Sequence, residues 1–238
     1  MTTSDEKTLL KKLDKATQIG LRYITFQEPD LGWQTTAVAF VPNERVSGFL
    51  KGCCMLGSTT PSDRLTLSTC MQKMRKTPQG TGTVWGHGQQ VQRKFQDLLS
   101  GRYTSWPRIE KVTWLEEALR SFKPTYPIED IYTYCLYHDI GKPFCMVQDE
   151  GKIQYPDHAK MSHDIWLQVD SRKHIAVWML HDMAIHTMCR DDFRKTPDAN
   201  LHRLVGLAEV YANADMFGGF ESDNFKMKLK KLIRNGSL

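Results

Sequence analysis

The sequence predicts a mainly α-helical protein. Beyond residue 84, apolar residues recur at helical spacing over most of the chain. Glycine and proline residues interrupt this pattern where helices would be joined by short connections. No internal repeat divides the block, so we expect one helical bundle over 81–238. Its predicted helices lie near 85–100, 108–122, 127–141, 157–170, 172–188, 200–217 and 222–234.

The first part of the chain, residues 1–80, predicts a small mixed extension packed on this bundle. A segment with proline and glycines, 77–83, separates the two parts because these residues break helices. The elements expected before it are an amphipathic helix over 3–22, a strand over 33–41, a loop over 48–61 and a helix over 62–76.

Composition is that of an ordinary globular protein with a sizeable core. Of 238 residues, 40% are hydrophobic and 25% are charged, and the formal net charge is +5. This mild excess suits a small anionic, phosphate-containing ligand such as a nucleotide, but does not by itself indicate nucleic-acid binding. The basic tail 226–234 is expected to be a solvated helix face, with a nucleic-acid patch as the alternative.

Cysteine usage and the amino terminus favour a cytoplasmic protein. The polar first residues lack a signal-peptide pattern, and no apolar run approaches the ~18 residues needed to cross a bilayer. No Cys-x-x-Cys pair indicates a zinc knuckle. We therefore expect reduced thiols and no membrane partner, and the oligomeric state stays open. The cysteines are Cys53, Cys54, Cys70, Cys135, Cys145 and Cys189.

The most informative segment is 131–143, Ile-Tyr-Thr-Tyr-Cys-Leu-Tyr-His-Asp-Ile-Gly-Lys-Pro. On the predicted helix, His138 shares a face with Ile131 and Cys135, so it points where the apolar face points. Asp139 follows directly, and the glycine and proline then end the helix. A buried histidine and aspartate are costly unless they are paired or bind metal.

Other predicted helices also direct polar side chains inward. His87 lies on a face with Val91, and Asp215 lies on a face with Tyr211. His181 follows a segment that is apolar all round. Helical bundles build metal sites in this way, from side chains on facing helices.

The segment His138-Asp-Ile-Gly-Lys-Pro143 resembles the signature of the HD superfamily of metal-dependent phosphohydrolases. It is especially similar to the form in HD domains of bacterial tRNA nucleotidyltransferases. The resemblance covers about residues 83–220, and the predicted helix over 108–122 accounts for a long gap before the signature. The ordered ligand set also resembles the two-metal branch, which includes cyclic-nucleotide phosphodiesterases and inositol-oxygenase-like proteins: His87, His138, Asp139, His158, His181 and Asp215.

The resemblance implies a divalent transition metal, as one or two ions. Imidazole and carboxylate ligands suit Mn, Fe, Co, Ni or Zn better than Ca, and Mg is possible. Asp139 is implied to bridge two ions. The implied ligands of one ion are His87, His138 and Asp215, and those of the other are His158 and His181.

Three further residues are assigned to catalysis or substrate binding. Lys142 is implied to bind a substrate phosphate, although a helix-end cation favoured by the helix dipole is the alternative. His163 and Asp182 are candidates for orienting ligands or transferring protons. The sequence does not identify the general acid.

Helical geometry leaves two choices open. Residues five positions apart on a helix point about 140° apart, so only one of each pair can face the site. We favour His158 over His163, because it follows a proline-marked helix start, and His181 over His186. The remaining histidines, His174 and His202, are expected on the surface.

The leading functional hypothesis is a phosphohydrolase acting on a phosphomonoester or phosphodiester of a nucleotide or nucleic-acid end, through a metal-activated hydroxide. The first alternative is a mixed-valent di-iron oxygenase acting on a small polyol or phosphonate, since that branch uses the same ligand set. The second is a non-catalytic binding module that keeps the HD fold.

Overall fold

The chain divides into two compact units, residues 1–64 and 65–238. The computed structural model describes residues 22–28, 32–38, 65–149 and 151–237. In the first unit, strands β1 (Arg22–Glu28) and β2 (Gly32–Val38) pair antiparallel. β2 corresponds to most of the strand predicted over 33–41. The predicted helix over 3–22, apart from Arg22 in β1, and the predicted loop over 48–61 lie outside the described residues.

The second unit is mainly α-helical, which confirms the predicted fold class. Two short antiparallel hairpins interrupt the helices: β3 (Pro78–Gln79) with β4 (Gly82–Thr83), and β5 (Val147–Asp149) with β6 (Lys152–Gln154). Among the described residues, no helix is long and apolar enough to cross a membrane. The helices are α1 (Leu67–Lys76), α2 (Val84–Leu99), α3 (Leu115–Ser121), α4 (Ile128–Tyr137), α5 (Lys142–Cys145), α6 (His158–Val169), α7 (Lys173–Leu180), α8 (Ala184–Thr187), α9 (Arg190–Phe193), α10 (Ala199–Ala212) and α11 (Asp223–Gly236).

The boundary between the two units lies earlier than the sequence predicted. We expected it after residue 80, at the proline and glycine segment, but the compact helical unit begins at Leu65. The reason is packing: α1 buries Cys70 and Met74 completely in the same core as the later helices. The proline and glycine segment is a hairpin inside this unit.

Helix α2 is the centre of the bundle, because it packs against both α4 and α10. Its apolar face buries Val91 and Phe95 completely. Gly88 lets α2 and α4 approach closely, since a Cβ atom there would overlap the carbonyl group of Leu136. This contact brings the first turn of α2 beside the end of α4.

A second close approach joins the turn after α4 to α6. The backbone N–H of Gly141 donates to the Oγ atom of Ser162 at 3.0 Å, and Ser162 is fully buried. A Cβ atom at position 141 would overlap the backbone of α6 at both Ser162 and His158. The absence of a side chain at Gly141 therefore lets the start of α6 lie against this turn.

Four of the helices predicted beyond residue 84 are shorter than expected. The helix over 127–141 ends at Tyr137. The helix over 108–122 is a 3₁₀ turn (Ile109–Lys111) followed by α3, because the backbone leaves helical geometry at Val112, where φ is −84° and ψ is 76°. The helix over 172–188 is divided into α7 and α8 by a turn at 181–183. The helix over 200–217 ends at Ala212.

Candidate metal centre

Asp139 is the centre of a buried polar cluster. It lies in the turn after α4 and is 1% exposed. Its Oδ2 atom lies 3.2 Å from the Nε2 atom of His138 and 3.9 Å from that of His87. Its Oδ1 atom lies 3.6 Å from the Nε2 atom of His158. Burial alone would raise the pKa of this carboxyl, but the charges of His138 and Lys142 hold the pKa well below its usual range.

Backbone carbonyl groups set the orientation of two of these imidazoles. The Nδ1 atom of His138 lies 2.9 Å from the carbonyl oxygen of Cys135, and that of His158 lies 3.0 Å from the carbonyl oxygen of Tyr155. A carbonyl oxygen only accepts hydrogen bonds, so each Nδ1 atom must carry the proton. A neutral ring with its proton on Nδ1 is the tautomer that binds metal ions through Nε2. In His138, burial opposes protonation, but the charge of Asp139 outweighs burial and raises the pKa to about 10, so Nε2 also carries a proton. A bound metal ion would replace that proton.

The Nε2 atoms of His87 and His138 are buried and lack a hydrogen-bond partner among the described residues. His87 lies in the first turn of α2, and its ring meets that of His138 edge-on, with centroids 5.2 Å apart. Burial, followed by the nearby charge of His138, lowers the pKa of His87 to about 4. Leaving a buried polar atom unpaired costs about 1–3 kcal/mol, and a cation between the rings would remove that cost.

The ligand atoms of His87, His138 and Asp139 all lie within 4.8 Å of one another. Two imidazole nitrogens and a carboxylate oxygen are ligands that divalent transition metals prefer. The residues present therefore fit the implied group, and the cluster can hold a metal ion. Asp139 Oδ2 faces His87 and His138, and Oδ1 faces His158.

Glu209 is a further carboxylate at this cluster that the sequence did not predict. It lies on α10, with Oε1 3.9 Å from the Nε2 atom of His87 and Oε2 3.6 Å from that of His186. Burial opposes its ionisation, but His186, His138 and His87 outweigh burial and lower its pKa to about 2. One signal was available: Glu209 is the one carboxylate in the apolar stretch 201–214.

The structure does not bring the predicted ligands Asp215 and His181 into the cluster. Asp215 was placed on the inner face of a helix over 200–217, but α10 ends before it, and the side chain is exposed. His181 caps the end of α7, with its ring 6.2 Å from that of His202. A turn separates α7 from α8, and it is His186, on α8, that reaches Glu209.

Lys142 lies inside the cluster. Its Nζ atom is 2.6 Å from Asp139 Oδ2, donates to Gln79 Oε1 at 3.1 Å and lies 5.4 Å from the centre of the Tyr155 ring. Burial opposes protonation, but the charge of Asp139 outweighs it and raises the pKa of Lys142 above its usual value. The ammonium group is therefore charged and shares Asp139 Oδ2 with the histidines.

Asp182 and His163 have different surroundings. Asp182 is buried and accepts a 2.6 Å hydrogen bond from the Tyr134 hydroxyl. Burial raises its pKa. His163 pairs instead with the partly exposed Asp164 at 2.8 Å, away from the cluster.

The expected surface position of His202 is wrong. His202 is 2% exposed, and its Nδ1 atom lies 3.3 Å from the Tyr134 hydroxyl. His202 lies on α10, where residues 201–208 are buried on every side of the helix, so no exposed face is available to it. His174 is partly buried, stacked on Tyr126 and 2.8 Å from Asp130.

A cavity of about 90 Å³ borders His87 and lies at the mouth of the cluster. One wall is the hairpin β3–β4, which carries Gln79, and the opposite wall is the turn after α10, which carries Asp215. The Tyr155 hydroxyl donates to the carbonyl oxygen of Pro78 and so anchors the hairpin. A small ligand in this cavity would therefore lie between His87 and Gln79, whose side chain binds Lys142.

No family model, curated protein or solved structure matches the chain.

The chemistry of the site therefore rests on its own geometry. Three imidazole nitrogens and an ammonium group face a single buried carboxylate, and a second carboxylate, Glu209, lies against His87. Such a set can bind a cation and place an anion beside it. It also contains candidate proton carriers in His186 and Asp182, both mostly buried.

Proposed function

We propose that the chain is a metal-dependent phosphohydrolase of the HD type, cleaving a phosphomonoester or phosphodiester of a nucleotide or nucleic-acid end. One observation carries the proposal: imidazoles from α2, the end of α4 and the start of α6 turn Nε2 atoms towards Asp139. Two of these rings are fixed in the metal-binding tautomer by backbone carbonyls. A metal ion bound there would also satisfy the two buried Nε2 atoms, of His87 and His138, that lack a hydrogen-bond partner among the described residues.

The residues divide between two positions around Asp139. His87 and His138 flank Oδ2, and Glu209 lies on the far side of His87 as a further oxygen donor. His158 faces Oδ1, where a second ion would bind. When bound, the metal supplies Lewis acidity, which polarises a phosphoryl group and acidifies a water molecule for attack.

Lys142 favours a phosphate-containing substrate over a neutral one. Its charged ammonium group lies between Asp139 and Gln79, a residue that lines the mouth cavity. A cation held there attracts the anionic oxygens of a phosphoester and stabilises the charge that develops during cleavage. A neutral polyol, one of the two substrate classes of the oxygenase alternative, would leave this charge unused, whereas a phosphonate would not.

The test is hydrolysis of a panel of phosphomonoesters, cyclic phosphodiesters and oligonucleotides with terminal phosphates, each with Mn, Ni, Zn or Mg. Asp139→Asn should lower the rate at least ~10³-fold, because it removes the shared anionic ligand. Asp164→Asn is the matched control, since Asp164 also pairs with a histidine but lies away from the cluster. The control should keep its rate within about twofold.

Metal content and oxygen consumption decide between the alternatives. Bound metal without hydrolysis of any phosphoester would overturn the phosphohydrolase proposal. Two irons and consumption of O₂ with a polyol or phosphonate would support the oxygenase instead. If the wild type binds a ligand but has no activity, so that Asp139→Asn has no effect on a rate, the protein is a binding module.

A further inference from the structure

Once a metal ion binds Asp139 Oδ2, this oxygen can no longer keep all of its present positively charged neighbours. The Nζ atom of Lys142 lies only 2.6 Å away, and the Nε2 atom of His138 lies 3.2 Å away. A transition metal bound to the same oxygen would lie ~2.0–2.2 Å from it. The ion and the ammonium group would then be within roughly 3–4 Å of each other, where like charges repel strongly in a buried site.

Lys142 has two other partners, Gln79 and Tyr155, and Gln79 lines the cavity. Gln79 Oε1 accepts a hydrogen bond from Nζ at 3.1 Å, and the face of the Tyr155 ring lies 5.4 Å away. An amide oxygen and an aromatic face each stabilise a cation. If Nζ left Asp139, these two groups would keep it beside the mouth cavity, which Gln79 lines.

We propose that Lys142 is an internal counter-cation that a metal ion must displace from Asp139, and that the displaced ammonium group, kept by Gln79 and Tyr155, then becomes available to a substrate phosphate. The proposal rests on the metal-binding part of the proposed function. It extends that function by making metal binding the event that prepares the phosphate site.

Two consequences of opposite sign follow. In the metal-free protein, Lys142 compensates the buried charge of Asp139, so its loss destabilises the metal-free state and strengthens metal binding. Loss of Gln79 leaves the ion pair in place but removes the group that receives the ammonium. Displacement of Lys142 from Asp139 then costs more free energy, so metal binding becomes weaker. Metal and phosphate should also strengthen each other's binding, because coupling between two ligands is reciprocal.

The experiment measures the affinity for Mn²⁺ alone, by calorimetry on the full chain, together with thermal unfolding with and without Mn²⁺. Lys142→Met should bind Mn²⁺ at least tenfold more tightly than the wild type, and Gln79→Leu should bind it several-fold more weakly. Lys160→Met is the matched control: Lys160 Nζ forms an equally short 2.6 Å pair with Asp164 on an exposed surface. Its Mn²⁺ affinity should stay within twofold.

Equal or weaker Mn²⁺ binding by Lys142→Met would overturn the proposal, as would unchanged or tighter binding by Gln79→Leu. If Lys142→Met folds only with Mn²⁺, the Mn²⁺ affinity of Gln79→Leu decides whether the proposal holds. These affinities do not depend on catalysis. A protein that shows both shifts but hydrolyses no phosphoester would retain the displacement and lose only the phosphohydrolase assignment, whereas absence of Mn²⁺ binding would overturn both.

Discussion

The carboxylate of Glu209 lies 3.9 Å from the Nε2 atom of His87, and no hydrogen-bond partner among the described residues satisfies that nitrogen. The same side chain reaches His186 through its other oxygen, at 3.6 Å. Glu209 thus has the position that the sequence had assigned to Asp215. We therefore expect the two carboxylates to contribute differently to metal affinity.

Glu209→Gln should weaken Mn²⁺ binding at least tenfold, because it replaces an anionic oxygen donor beside His87 with a neutral amide. Asp215→Asn makes the same chemical change on an exposed side chain beyond α10 and should alter the affinity less than twofold. Calorimetric titration of both variants measures the difference. Equal losses would mean that Asp215 moves in to bind the ion, and a loss in Asp215→Asn alone would restore the original assignment.

His186 is expected to act through Glu209. His186→Gln removes the imidazole that holds Oε2 of Glu209, so the carboxylate loses its orientation. Changes to such supporting residues cost roughly 10–100-fold in metal affinity. His181→Gln is the control, because the ring of His181 lies beside His202 rather than Glu209. Metal titration should show a loss of affinity for His186→Gln only. A loss of affinity for His181→Gln alone would mean that His181, and not His186, supports the metal site.

Gly141 is required for the approach of α6 to Asp139. In Gly141→Ala, the added methyl group would overlap the backbone at Ser162 and His158. Overpacking of this kind costs about 1–3 kcal/mol, occasionally more, and would move His158 away from Asp139 Oδ1. Urea unfolding measures the stability, and metal analysis measures the number of ions retained.

Gly82→Ala provides the comparison for this change. A Cβ atom at Gly82 would have only one neighbour within 4.0 Å, the carbonyl oxygen of Gln79. Its stability should therefore stay within about 0.5 kcal/mol of the wild type. A similar cost at both positions would show that the packing against α6 is not what position 141 contributes.

His202 should make the protein sensitive to acid. Burial lowers the pKa of His202 from 6.5 to about 3, so the unfolded chain takes up the proton first as the pH falls. Stability that is present above pH 6.5 is then lost as the pH falls towards 3, at about 1.4 kcal/mol per pH unit. In His202→Gln, which cannot titrate, this loss should disappear.

Urea unfolding at about pH 7.5 and pH 5 tests this prediction. The wild type should lose about 2 kcal/mol more than His202→Gln between the two conditions. The comparison isolates His202, because the other titratable groups are common to both proteins. Parallel pH profiles would mean that His202 takes up a proton in the folded protein as readily as in the unfolded chain.

The sequence predicted best where one helix runs without interruption. His158 and His163 both lie on α6, and the choice of His158 agrees with its position 3.6 Å from Asp139. Apolar spacing also placed α2 and α4 correctly enough to bring His87 and His138 together. Local periodicity carries this information, because the direction of a side chain follows from its place on a regular helix.

Prediction failed where a helix ended earlier than its apolar pattern. His181 and Asp215 were oriented by extending helices through 172–188 and 200–217, but the first is interrupted at 181–183 and the second ends at Ala212. Beyond the end of a helix, the regular rotation per residue around the helix axis no longer predicts the direction of a side chain. The contact of Lys142 with Gln79 was also beyond reach, since it depends on how the hairpin β3–β4 lies against the turn.

The rings of His138 and His158 owe their orientation to the main-chain carbonyls of Cys135 and Tyr155. Every amino acid supplies such a carbonyl, so substitutions at these two positions alter the local packing but keep the acceptor. A substitution at position 135 would therefore leave the acceptor of the His138 ring in place. A substitution at position 155 would also keep the acceptor of the His158 ring, but it would remove the hydroxyl that anchors the hairpin β3–β4 and the aromatic face beside Lys142. The main chain thus preserves the orientation of both rings independently of what these two side chains do elsewhere.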